Sequence, residues 1–350
     1  MNITKALTLA LKVAAKRASI PVLNCARVSI TDGTLALSAT DTDHYITLFC
    51  DAAGSADMAP RVVPLKTLQA LVKGAPHTDI GTLVTSLAPA CEPGEWWEEA
   101  SYTVQGTVTM AAPAWRDMLQ TVGSAMSTEE TRYYLNGIHV DKDGAAVATD
   151  GHRLALLRLP EGAVDLQDNI IIPRYAVTLL DQIMAKDTNT RTLALCSTDD
   201  NRGTWVRLVT PTIHYASRIV DGTFPDYRRV IPTSNANTII MRVDTLAKHG
   251  AALARLYGRR DMGKAVVTYC SISATTKMGA SADLSLPVFD AVASDKYVPA
   301  AFQASYLAAL GEAFPAGATV TLAMADNLAP VLITSAQAPG FTYVLMPMRA

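Results

Sequence analysis

A short strand-like run that ends in proline and runs into a helix occurs three times in the chain, as RVVPLKTLQALVK (61–73), NIIIPRYAVTLLDQIMAK (169–186) and KYVPAAFQASYLAALG (296–311). The fixed φ of proline and its missing N–H cost least at the first turn of a helix, so Pro64, Pro173 and Pro299 mark three junctions of one local design. Each is preceded by another helical candidate, at 3–17, 112–127 and 241–257. Between the two helices of the first two copies lies a matching strand pair, TDGTLALSATD (31–41) and KDGAAVATD (142–150), with Asp-Gly at the hairpin. A unit that recurs with both of its helices predicts an α+β chain of three related domains, placed at 1–107, 108–233 and 234–350.

With 350 residues, 49% of them apolar, each of three such units has enough material for its own core. The net charge of −2 gives no bulk attraction to nucleic acid, so any such role depends on where the charges sit. Cys25, Cys50, Cys91, Cys196 and Cys270 are scattered, without the close pairs of a zinc or redox site, which points to a reducing cytoplasm. No basic start followed by an apolar run reads as a signal peptide, and no stretch is long and apolar enough to predict a membrane span.

The charges are segregated. Residues 1–20 contain Lys5, Lys12, Lys16 and Arg17 and no acid; residues 61–73 contain Arg61, Lys66 and Lys73 and no acid. Residues 241–260 set Arg242, Lys248, Arg255, Arg259 and Arg260 against Asp244 alone. On the first helix Ile3, Leu7, Leu11 and Ala14 form an apolar stripe, with Lys5, Lys12 and Lys16 opposite. Leu65, Leu68 and Val72 form the stripe of the next, with Lys66 and Lys73 to one side. One lysine face is ordinarily just a solvated surface, but the same feature on equivalent helices of repeated units predicts a shared surface that attracts phosphates without reading bases. The middle unit is weaker, because Arg116 is offset by Asp117, and Arg174 and Lys186 are partly offset by Asp181.

Four stretches, RYYLNG (132–137), VATDGHRLAL (147–156), DGTFPDYRRVIP (221–232) and the terminal YVLMPMRA (343–350), resemble the bacterial DNA polymerase III beta subunits, the sliding clamps. RASIPVLN (17–24) is a looser match, and order and spacing follow the family from end to end. The resemblance implies three similar domains per chain and a head-to-tail homodimer, with helices lining the hole of a ring and antiparallel sheets outside. It implies a DNA polymerase processivity factor that encircles duplex DNA without sequence preference, with no chemistry and no cofactor of its own. The implied partners are the polymerase III alpha subunit, the delta subunit of an ATP-driven clamp loader, translesion polymerases and repair proteins.

Carried over position by position, the resemblance implies one peptide-binding pocket between the second and third domains. Its walls would be Leu135, Thr149, Gly151, His152, Arg153, Leu154, Pro225, Arg229, Val230, Tyr306, Leu328, Pro330, Val344, Leu345, Met346, Pro347 and Met348. Methionines and a proline at a chain end suit that role, since they make a soft apolar surface that accepts several ligand shapes. The implied DNA contacts are Arg17, which could pair with phosphate, and Tyr133 and Tyr134, which could stack on an exposed base, beside Lys5, Lys12, Lys16, Lys66, Lys73, Lys248 and Arg255.

The chain also departs from the family pattern. Pro330 stands where a small hydroxyl residue is common, and Ala350 where a larger apolar one is. The first domain is shortened between Gly74 and Thr107, and its 92–99 stretch with Trp96 and Trp97 matches nothing in the family. Two other readings compete. Asp150 and His152 could serve a hydrolase as acid and base, although the six histidines show no metal-ligand spacing and no phosphate loop or nucleophile elbow occurs. The repeats could instead form a scaffold that binds proteins without surrounding DNA.

Overall fold

The computed structural model describes residues 1–14, 20–96, 101–198, 203–233, 237–257, 263–268, 271–275, 281–292 and 299–348. Lys16, Arg17, Trp97, Arg259, Arg260, Cys270 and Ala350 lie outside the described residues. The chain divides into two compact units. One comprises residues 1–109, 165–167 and 191–219, and the other the remainder.

Seven helices are described: α1 (Ile3–Val13), α2 (Leu65–Gly74), α3 (Ile80–Thr85), α4 (Ala112–Thr121), α5 (Arg174–Ile183), α6 (Val243–Ala254) and α7 (Ala304–Ala313). They pack as pairs, α1 with α2 in the first unit, and α4 with α5 and α6 with α7 in the second, where α4 also meets α7. α6 approaches α7 closely at Gly250, where an added Cβ would lie 2.8 Å from both the Ala308 amide nitrogen and the Leu307 Cβ.

In the first unit a nine-stranded sheet runs in the order Met58–Pro64, Cys25–Thr31, Thr34–Thr40, His44–Asp51, Ile213–Arg218, Thr204–Val209, Thr190–Thr198, Tyr102–Ala111, Val164–Asp165. From Met58–Pro64 to Thr190–Thr198 every pairing is antiparallel. The second unit holds another nine-stranded antiparallel sheet, ordered Ile170–Pro173, Gly137–Asp141, Ala145–Thr149, Arg153–Arg158, Phe341–Leu345, Val331–Thr334, Thr319–Met324, Asn237–Arg242, Val288–Val292. It also holds a four-stranded one, Ser281–Ser285, Ser271–Thr275, Lys264–Val267, Ala300–Gln303. Three α+β modules are present, as the repeat predicts. The compact units nevertheless cut across the sequence-based middle segment, because its last three strands complete the sheet of the first module.

The two Asp-Gly hairpins form where expected. Asp32 and Gly33 both adopt positive φ, the geometry of a tight turn between right-twisted strands, and Gly144 does so in the second. The third proline junction differs. Pro64 and Pro173 directly precede α2 and α5, but Pro299 precedes the strand Ala300–Gln303, and the residue before α7 is Gln303. The repeat is real, but its third proline is displaced, because Ala300–Gln303 is first used in pairing with Lys264–Val267.

Helix limits also shift. Met241 and Arg242 end a strand rather than opening α6, and Arg242 is held by Asp244 at 3.1 Å. On α1 the buried residues are Ala6, Leu7, Leu9, Ala10 and Val13, with Ile3 and Leu11 only half-buried, so the core face is rotated from the expected stripe. Leu65, Leu68 and Val72 are buried on α2 as read from sequence. The unmatched stretch after Gly74 forms α3, with Asp79 accepting from the Thr82 amide, and a 3-10 turn at Pro93–Glu95. Trp96 then packs against Cys25 and Val62. No helix among the described residues is long and apolar enough to cross a membrane.

Candidate functional site

The segment Thr149-Asp150-Gly151-His152-Arg153 is a tightly bonded turn between two strands of the second unit. Thr149 Oγ1 donates to the Arg153 carbonyl at 2.7 Å and accepts from the Gly151 amide at 3.0 Å. The Asp150 carboxylate accepts from the amides of His152 (2.9 Å) and Arg153 (3.1 Å) and from Arg153 Nε (2.9 Å). Gly151 sits at φ +90°, which side chains rarely adopt. This turn presents His152 and Arg153 to α7. The Arg153 guanidinium lies 4.7 Å from the centre of the Tyr306 ring, and the His152 ring stacks on Tyr306 with centroids 6.3 Å apart. Burial pushes the Tyr306 phenol up to about 12, with Asp150 adding to the rise and Arg153 opposing it. The buried Tyr343 phenol is likewise pushed up to about 12.

The chain end completes this surface by extending a ladder. Leu345 pairs with Arg153 and Val344 with Leu154. Beyond them the Met346 amide donates to the His152 carbonyl at 2.8 Å and the Met348 amide to the Ala301 carbonyl at 2.6 Å. Met346, Pro347 and Met348 are thereby strung out half-buried between two strands. Val331 pairs with Leu345, so Pro330 follows on beside Met346, and Asp326 shapes the turn before it by accepting from the amides of Leu328 and Ala329. Leu328 is 61% exposed.

Residues 221–232 are anchored to the same unit by Tyr227 and Arg228. The Tyr227 hydroxyl and Arg228 both donate to Asp141, whose carboxylate is almost fully buried, and Phe224 stacks on His139 at 4.5 Å. Leu154 and Val344 join Tyr227 in one apolar cluster, flanked by Phe224, Ile231 and Leu332. This anchoring leaves Pro225, Arg229 and Val230 exposed, with Arg229 paired to Asp226.

The predicted pocket residues therefore divide. Arg153 and His152 meet Tyr306, and Met346 bonds the His152 carbonyl, with Thr149 and Gly151 shaping the turn, whereas Met348 bonds Ala301 instead. Leu135, Leu154, Val344 and Leu345 are buried. Asp141, His139, Phe224 and Tyr227 were missed. Their signal is faint in sequence, since an aspartate before a hairpin looks like turn chemistry and only the fold brings it to Tyr227.

Of the predicted DNA contacts, Lys5 and Lys12 on α1 and Lys66 and Lys73 on α2 are exposed on helices that pack together, and Lys248 and Arg255 are exposed at α6. Tyr133 is 54% exposed and meets Tyr134 edge to face at 5.8 Å, on the 3-10 turn Glu130–Leu135. Arg116 is neutralised by Asp181 across α4 and α5 at 3.1 Å, rather than by its neighbour Asp117. Among the described residues no group of three His, Cys, Asp or Glu side chains could hold a metal ion.

Residues 110–226 match the family model of the DNA polymerase III beta subunit, central domain. The beta sliding clamp of Caulobacter vibrioides is 28% identical over 370 residues, covering 99% of this chain and 97% of that protein. That of Escherichia coli K12 is 25% identical over 358 residues, covering 95% and 93%. Among solved structures, the DNA polymerase sliding clamp from Caulobacter crescentus superposes with a TM-score of 0.83 at 26% identity, over 99% of this chain and 97% of that one. The sliding clamp from Bartonella birtlesii, bound to griselimycin, shares the fold with a TM-score of 0.82 at 24% identity, over 99% and 97%. With the family model of the central domain matching its middle third and the fold shared from end to end, the chain is similar over its whole length to the sliding clamps, the beta subunits of DNA polymerase III.

Proposed function

We propose that two copies of the chain close head to tail into a ring around duplex DNA, and that the surface built on His152, Arg153, Tyr306 and the chain end tethers replication enzymes to it. The carrying observation is the convergence of three segments distant in sequence, the Thr149–Arg153 turn, α7 and Met346–Met348, on one half-buried apolar and cationic surface. Such a groove favours short apolar peptides, which gain most from burying a few side chains in a preformed site. The domains would divide at 1–107, 108–233 and 234–350, with the pocket between the second and third. The lysines of α1 and α2, with Lys248 and Arg255, would face DNA and hold it by phosphate contacts that carry no sequence information, which permits sliding.

The polymerase III alpha subunit, translesion polymerases, repair proteins and the loader's delta subunit would share the pocket. The role is non-catalytic. The Asp150 carboxylate is spent on Arg153 and two backbone amides, which suits a structural turn better than an acid or base.

A labelled peptide from a polymerase III alpha subunit tests the pocket. A His152→Ala variant should bind it at least about fivefold more weakly, from loss of the ring stack on Tyr306, while DNA loading is unchanged. Unchanged peptide affinity would count against the pocket.

A further inference from the structure

Two module boundaries inside the chain are built by the same rule. Ile213–Arg218, the third strand after α5, pairs with His44–Asp51, the third strand of the first module's opening set. Phe341–Leu345, the third strand after α7, pairs with Arg153–Arg158, the third strand of the second module's opening set. Each boundary is thus a continuous antiparallel ladder, in which the backbone groups of both edges are satisfied.

The corresponding strand of the third module is Ser281–Ser285, at the end of its sheet. By the same rule its outer edge calls for the third strand after α2 of another chain. Among the described residues no such strand is present. There α2 is followed by α3 and a 3-10 turn, and the next strand, Tyr102–Ala111, already lies inside a sheet and runs into α4.

What remains on either side is built against strand addition. In Met58–Pro64, the first sheet's terminal strand, Pro60 and Pro64 have no N–H to give. On the same side the Val62 carbonyl is taken by the Ala90 amide at 2.8 Å, and Arg61 reaches over to the Leu87 carbonyl at 3.1 Å. The Ser281–Ser285 edge is short and carries Asp283 at its centre, a device that discourages pairing.

Building on the two-chain ring, we infer that the seam between copies of this chain is not a strand ladder. The sheets stop at the seam, side chains alone hold the two chains together, and the ring opens there more readily than at either boundary within a chain.

Sedimentation velocity over a dilution series, followed by hydrogen exchange on the full chain as dimer and as monomer, tests this. The expected result is a dimer that dissociates on dilution, with the peptic fragment spanning Ser281–Ser285 exchanging at the same rate in both states. The strands Phe341–Leu345 and Arg153–Arg158 should stay protected throughout. Slowing of the Ser281–Ser285 fragment by about tenfold or more in the dimer would overturn the inference, since half the amides of a newly paired edge strand become bonded. A chain that remains monomeric at every concentration would uphold the missing ladder and remove the two-chain ring, so the two readings fail separately.

Discussion

The Tyr227 hydroxyl donates to the Asp141 carboxylate at 2.5 Å, and this bond ties residues 221–232 to the strand Gly137–Asp141. Arg228 reaches the same carboxylate at 2.8 Å, and the Ala145 amide bonds its other oxygen at 2.8 Å. Tyr227→Phe removes one donor and leaves the others, so it should cost about 1 kcal/mol in urea unfolding. Asp141→Ala strands a buried hydroxyl and releases the segment, and should cost roughly 3 kcal/mol while weakening peptide binding. Equal costs for the two variants would contradict this anchoring.

The same corner sets a dependence on pH. Burial above all holds the His139 imidazole down to about 4, with Arg228 adding to the fall and Asp141 opposing it. The unfolded chain takes up this proton near 6.5 and the folded chain does not, so stability should decline as pH falls from about 6.5 to about 4, by up to roughly 3 kcal/mol. Burial pushes Asp141 upward, but bonds from Tyr227 and Ala145 and the charge of Arg228 outweigh it and hold the carboxyl below its usual range. Its contribution is therefore present above the ordinary carboxylate range and lost as pH falls through the native value. Urea midpoints at pH 7 and pH 5 should differ, and His139→Phe should narrow the difference; an identical pH profile for the variant would refute the assignment.

Tyr306 bears the Arg153 guanidinium on its ring face, not through its hydroxyl. Tyr306→Phe should therefore leave peptide affinity within about twofold, whereas Tyr306→Ala should reduce it about tenfold, the scale of a partly desolvated cation–π contact. Fluorescence anisotropy distinguishes them, and equal losses would place the effect in the hydroxyl.

Gly250 permits the close approach of α6 to α7. A methyl group there meets backbone and a Cβ rather than a flexible side-chain end, so Gly250→Ala should destabilise the chain by about 1–3 kcal/mol. A thermal midpoint equal to that of the wild type would show that α6 can shift without cost.

Much of this fold is legible in the residues. Pro64 and Pro173 mark helix starts because their φ and missing N–H are local constraints, and Asp32-Gly33 marks a turn for the same reason. Pro299 misled because a four-residue strand separates it from its helix, and that strand forms only by pairing with Lys264–Val267, a long-range event. The last three strands of the middle segment join the first module's sheet for a similarly non-local reason. At the site, the motif residues that meet Tyr306 could be named in advance, but Asp141 could not, since its meaning depends on a contact 86 residues away.

The central claim is topological, and nicked circular DNA tests it. The chain is incubated with the circle, ATP and a bacterial clamp loader, free protein is removed by gel filtration, and one restriction cut then linearises the DNA. A ring that encircles the duplex and holds it only by phosphate contacts should run off the ends, leaving DNA-free protein after the cut and bound protein on uncut circles. Protein that stays on linear DNA with open ends would mean that it grips the duplex rather than surrounding it.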